Sequence, residues 1–137
     1  MGFEMWMDCY GETARAGLSR DSVRRLFPMS GEESQSESWI IQYDSRNSCR
    51  IEVRALEADS EKLNHLFIER PCGDMRLWEA LFSILRMGSV VIFWPSSPPI
   101  VADGADFGGL PEGMVEALGD PVTVGDGGEL LRNIHLT

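Results

Sequence analysis

Between Met75 and Met87 the polar positions are Arg76, Glu79, Ser83 and Arg86, spaced by three, four and three residues. That spacing is the period of one face of an α-helix, and every other position in the stretch is apolar. The pattern predicts a long helix over about 74–87 that shows one narrow stripe to water and buries the rest. Asp74 stands where its carboxylate can accept from the free amides of the first turn and meet the positive helix end. Gly88 suits a left-handed residue beyond the last turn. The next run, Val90 to Trp94, is apolar without alternation, with three β-branched residues followed by two aromatics. It predicts a strand covered on both faces, inside a sheet, and ended by Pro95, which has no amide hydrogen for a ladder. A single membrane helix from Leu77 to Trp94 is disfavoured by Glu79 and Arg86, since a charge near mid-bilayer costs about 2.5–3.5 kcal/mol.

Elsewhere the period is two. Along 3–10, Phe3, Met5, Met7 and Cys9 fall on one side, and Glu4, Trp6, Asp8 and Tyr10 on the other, which predicts a strand. Gly11 to Gly17 reads as a loop. Ser19 is the cap of a short helix from Arg20 to Phe27, stopped by Pro28. Residues 30–38 are rich in Gly, Ser and Glu and predict a flexible loop. Trp39–Tyr43, Cys49–Leu56 and Leu63–Arg70 predict three strands joined by short turns, with residues 57–61 as the second turn. In the last of these, Leu66 and Ile68 oppose His65, Phe67 and Glu69. Downstream come a short extended piece at Ile100–Ala102, a glycine-rich loop at 103–109 and a short helix at Pro111–Leu118. A short strand at Val122–Val124 follows, and Glu129–Ile134 is either a last helical turn or a tail. The fold expected from these elements is α+β, one domain over 1–137. It has a mainly antiparallel sheet of about five strands, the long helix on one face and two short helices.

Composition narrows the function. A chain of 137 residues with 43% hydrophobic content buries a real core without metal or disulfide staples. A net charge of -10 argues against nucleic acid as a partner and leaves a basic protein partner open. Three cysteines, Cys9, Cys49 and Cys72, are an odd number without metal-ligand spacing, which predicts reduced thiols in a cytoplasm. No basic segment leads into an apolar run near the N-terminus, so no signal peptide is expected.

Catalytic motifs are sparse. Cys72 precedes the predicted helix N-terminus by two residues, a place where free amides and the dipole lower a thiol pKa, and His65 is the candidate base. Asp74 already occupies the cap and would repel a thiolate, so the commoner role for Cys72 is a small packed residue. Asp103, Asp106 and Glu112 do not follow the alternating ligand spacing of a calcium loop. Gly125–Glu129 lacks the Lys and Ser/Thr of a phosphate cradle. Cys9, Cys49, Cys72, His65 and His135 show no ligand pairing. Arg20, Arg24 and Arg25 form the one local basic cluster, which more commonly pairs with neighbouring acids than with phosphates. Trp6 and Tyr10 share a predicted strand face; left open, that face is an aromatic surface for a partner. The leading expectation is therefore a protein-binding or self-associating module without catalysis, cofactor or metal. The rival is a small enzyme or ligand-binding domain with a pocket between Cys72 and the 103–109 loop.

Overall fold

The computed structural model describes residues 4–28, 37–95, 97–105 and 107–135. Its elements in order are β1 (Glu4–Cys9), α1 (Gly11–Ala16), β2 (Leu18–Ser19), α2 (Arg20–Arg24), β3 (Ser38–Gln42), β4 (Ser48–Leu56) and β5 (Asp59–Glu69). There follow α3 (Met75–Leu85), β6 (Val90–Phe93), β7 (Ile100–Ala102), a 3-10 turn (Phe107–Gly109), α4 (Glu112–Leu118), β8 (Val122–Val124) and α5 (Gly127–His135).

The α+β class holds, but the architecture differs from the expected five-stranded sheet under a long helix. Among the described residues there are eight strands in one mixed sheet, ordered β3-β4-β5-β1-β6-β7-β8, with β2 paired to β5 beside this path. All neighbours are antiparallel except β7 and β8, which run parallel. The expectation undercounted because the extended piece at Ile100–Ala102 and the short strand at Val122–Val124, which are β7 and β8, were not placed in the sheet, and β2 has only two residues, too few to carry an alternation. The meander β3-β4-β5 forms as one side of the sheet. β1 then pairs with both β5 and β6 and becomes the central strand.

Five α-helices are described and none is long. α3 has 11 residues, about 16 Å of helix. Asp74 caps it, accepting from the Arg76 amide at 2.9 Å. Leu77, Trp78, Leu81, Ile84 and Leu85 are at most 2% exposed, and burying each such side chain fully is worth about 1.5–3 kcal/mol. The helix ends at Leu85, and Gly88 does not take the expected left-handed conformation. Gly88 serves close approach instead: a Cβ there would lie 2.8 Å from Thr13 Oγ1, the same oxygen that accepts from the Ser89 amide at 2.9 Å. That contact also explains why 11–16, read as a loop, is helical. Tertiary contact holds a six-residue helix that propensity alone does not.

β6 is an interior strand, flanked by β1 and β7. It stops at Phe93 because the Trp94 amide donates to Ser97 Oγ at 3.0 Å instead of to a ladder. Its side chains divide between two cores. Val90 and Ile92 join Met5, Met7, Ile51, Leu66 and Ile68, under α2, α3 and α5. Val91 joins Tyr10, Val101 and Leu110 on the opposite face, with Phe93, Met114 and Val115 packed against them. α5 closes the first core by meeting α3 at Gly127, where a Cβ would sit 2.7 Å from the Glu79 backbone nitrogen. The loop expected at 30–38 lies outside the described residues, except that Glu37 and Ser38 are described and Ser38 opens β3. No helix among the described residues is long and apolar enough to cross a membrane.

Candidate binding face of the sheet

One face of the sheet is covered by helices. Among the described residues the other is covered at its β6–β7 end, by Leu110, Met114 and Val115. Strand register orders the rest of this second face into rungs. The middle rung runs Ser38–Glu52–Phe67–Trp6–Phe93 across β3, β4, β5, β1 and β6. On one side of it lies Ile40–Arg50–Glu69–Glu4, and on the other Arg54–His65–Asp8–Val91.

The three aromatics of the middle rung touch. Trp6 lies 5.5 Å from Phe67, tilted by 39°, and 5.7 Å from Phe93, stacked within 16°. All three are half-buried, whereas Trp39, Trp78 and Trp94 are 0%, 2% and 5% exposed. Trp6 and Phe67 line a cleft of about 510 Å³ whose walls include Glu4, Glu37 and Glu52, with Arg54 and His65 at one end. Among the described residues Glu4, Glu37, Glu52 and Glu69 take part in no ion pair. Glu4 and Glu69 stand directly opposite one another.

His65 Nδ1 contacts the Asp8 carboxylate across the β1–β5 pair. Both residues, with Arg54, also line a second cleft of about 240 Å³ toward Pro111 and Met114. Cys9 borders that cleft, but its thiol lies 3.9 Å from the Leu63 carbonyl and is pushed up to about 12 by burial and then by Asp8. It is not a nucleophile at neutral pH. Tyr10 lies past the end of β1 and is 4% exposed in the second core, so Trp6 and Tyr10 do not form one open patch. The partners of Trp6 on the open face are Phe67 and Phe93.

Cys72 sits elsewhere. It lines a cleft of about 390 Å³ with Arg46, Arg70, Trp78 and Ile134, and its carbonyl accepts from Trp78 Nε1 at 3.0 Å. His65 does not line that cleft, and neither do the described residues of the 103–109 loop. Cys72 instead lies beside Cys49, whose thiol is pushed up to about 12 by burial and then by Cys72. Beside them burial raises Tyr43 above its ordinary phenol range, and the Arg76 guanidinium lies 4.9 Å from the Tyr43 ring centre. Hydrogen bonds from Arg76 hold Asp74 below the usual carboxylate range. Among the described residues no three His, Cys, Asp or Glu side chains converge to hold a metal ion.

Phe67, Phe93 and the carboxylates around them were not singled out from sequence. The alternation in β1 and β5 does turn Trp6 and Phe67 outward, but nothing local says that these two strands are neighbours. Comparison with protein families, with curated proteins and with solved structures finds no match to this chain.

Proposed function

We propose that this chain is a protein-binding module without catalysis, which docks a partner on the open face of its sheet through the Phe67–Trp6–Phe93 rung. The observation that carries the reading is the fate of the four tryptophans. Three are core residues, while Trp6 is left half-buried over a cleft, stacked on Phe93 and tilted against Phe67. Aromatic anchors in a partly formed pocket are the residues that most often dominate binding energy between proteins. A cytoplasmic setting belongs to this reading and is supported by three free cysteines.

A different protein is favoured over a second copy of the chain. A two-fold contact on this face would bring two copies of the Glu4, Glu37, Glu52 and Glu69 cluster into one interface, and that excess of like charge over Arg50 and Arg54 opposes it. Affinity capture with the wild-type chain and with Trp6→Ala/Phe67→Ala tests the docking face, with thermal unfolding as the control for folding. The expected result is a retained protein that the folded double variant loses. Identical capture by both chains sinks the proposal. In light scattering the free chain is expected to be a monomer; a dimer abolished by the same double variant would replace a foreign partner with self-association.

The enzyme reading at Cys72 has less support, because no histidine is among the described residues of its cleft. Iodoacetamide labelling decides it. A Cys72 rate no faster than that of a free model thiol at neutral pH removes the thiol enzyme.

A further inference from the structure

Resting on the docking reading above, we infer that the occupant of the open face is an extended lysine- or arginine-rich segment of a partner protein. One of its cationic side chains lies over the Trp6 ring, between Glu4, Glu37 and Glu52.

Charge is the first support. The wall of the 510 Å³ cleft carries three carboxylates against the single guanidinium of Arg54. Among the described residues none of these carboxylates is neutralised by an ion pair. The facing pair Glu4 and Glu69 is an arrangement that weakens a sheet. Arg50 stands on the other side of Glu69, which leaves Glu4, Glu37 and Glu52 as the carboxylates an arriving cation would meet.

Aromatic chemistry is the second. Tryptophan presents the strongest ring face to a cation, and an ammonium or guanidinium within about 6 Å of its centre is attracted by the ring quadrupole. Phe93 and Phe67 hold the Trp6 ring in place, so little side-chain freedom remains to be lost on binding.

Length is the third. The middle rung crosses five strands, which is about 19 Å at the usual strand spacing and matches about six residues of extended chain. A lone organic cation would fill only part of it. Nucleic acids and anionic lipid surfaces are repelled by a chain of net charge -10.

The test titrates the isotope-labelled full chain, by NMR, with a ten-residue synthetic peptide alternating lysine and serine, and with the same peptide acetylated at every lysine. The lysine peptide is expected to shift the Trp6 indole N–H and the Phe67 amide, and to bind at least tenfold tighter than the acetylated one. Glu4→Gln/Glu37→Gln/Glu52→Gln should weaken it at least tenfold. Removing three exposed charges elsewhere, with Glu112→Gln/Glu116→Gln/Asp120→Asn, should change binding less than twofold. Equal binding of both peptides at Trp6 overturns the cationic assignment and leaves docking on this face standing. No shift at Trp6 from either peptide at millimolar concentration overturns the cationic assignment, while the docking reading stands or falls with the affinity capture. Equal losses in the two triple variants reduce the effect to net charge and overturn the assignment.

Discussion

The two faces of the sheet are built from the same strands, residue by alternate residue, yet they answer to different demands. On the helix-covered face Met5, Met7, Ile51, Leu66 and Ile68 are at most 1% exposed, and every rung is apolar. On the other face their neighbours Glu4, Trp6, Glu52, Phe67 and Glu69 are exposed or half-buried and mix rings with unpaired carboxylates. The first face is arranged as a core, where close packing decides stability. The second leaves apolar rings half-buried and sets Glu4 opposite Glu69, the features on which the proposed docking rests. Stability and the proposed binding are therefore separable by face.

The largest effect is expected under the helices. Leu81→Ala, on the fully buried side of α3, should lower unfolding free energy by about 2–5 kcal/mol. Phe67→Ala on the open face should lose only about 0.5–1.5 kcal/mol, its share of an aromatic pair. Urea denaturation measures both, and comparable losses would erase the distinction between the faces. Next comes the junction of α5 with α3. Gly127→Ala places a methyl against the Glu79 backbone, which cannot swing aside, and should cost about 1–3 kcal/mol. A neutral result would mean that the two helices slide freely over the core.

On the open face the sign should reverse. Glu4→Gln removes the charge repulsion with Glu69 and should stabilise the free chain by about 0.2–0.5 kcal/mol, in the range of cross-strand pairs. A loss in urea denaturation of Glu4→Gln would show that Glu4 supports the fold and is not held for a partner. The smallest effect belongs to the exposed cap of α3. Arg76 holds Asp74 ionised below its ordinary 3.8, so the cap's contribution is complete above about pH 4 and fades as pH falls through the lowered value. An NMR titration should place the Asp74 midpoint below 3.8 and move it upward in Arg76→Gln; an unmoved midpoint would remove Arg76 as the cause.

Legibility followed the range of the forces involved. The three-four-three spacing of Arg76, Glu79, Ser83 and Arg86 revealed α3 and its buried side. Asp74 revealed the cap, and the unbroken run from Val90 revealed an interior strand. These signals come from neighbours within one turn or one strand. α1 was missed because its support arrives from Gly88 and Ser89, some 75 positions downstream. Tyr10 and Trp6 share an outward parity, yet the segment after Gly109 covers the first and leaves the second open. His65 looked toward Cys72 for a partner and found Asp8 on a strand at the far end of the chain, while Cys72 found Cys49.

From residue order alone came the alternation that turns Trp6, Asp8, His65 and Phe67 to one parity and Met5, Met7, Leu66 and Ile68 to the other. Side-chain direction in a strand is a local property of the pleat. Only the tertiary structure decided that β1 lies between β5 and β6, and hence that three separate aromatics become one rung edged by carboxylates. Strand neighbours are chosen by burying area across the whole chain, and that choice leaves no mark in any short window of sequence.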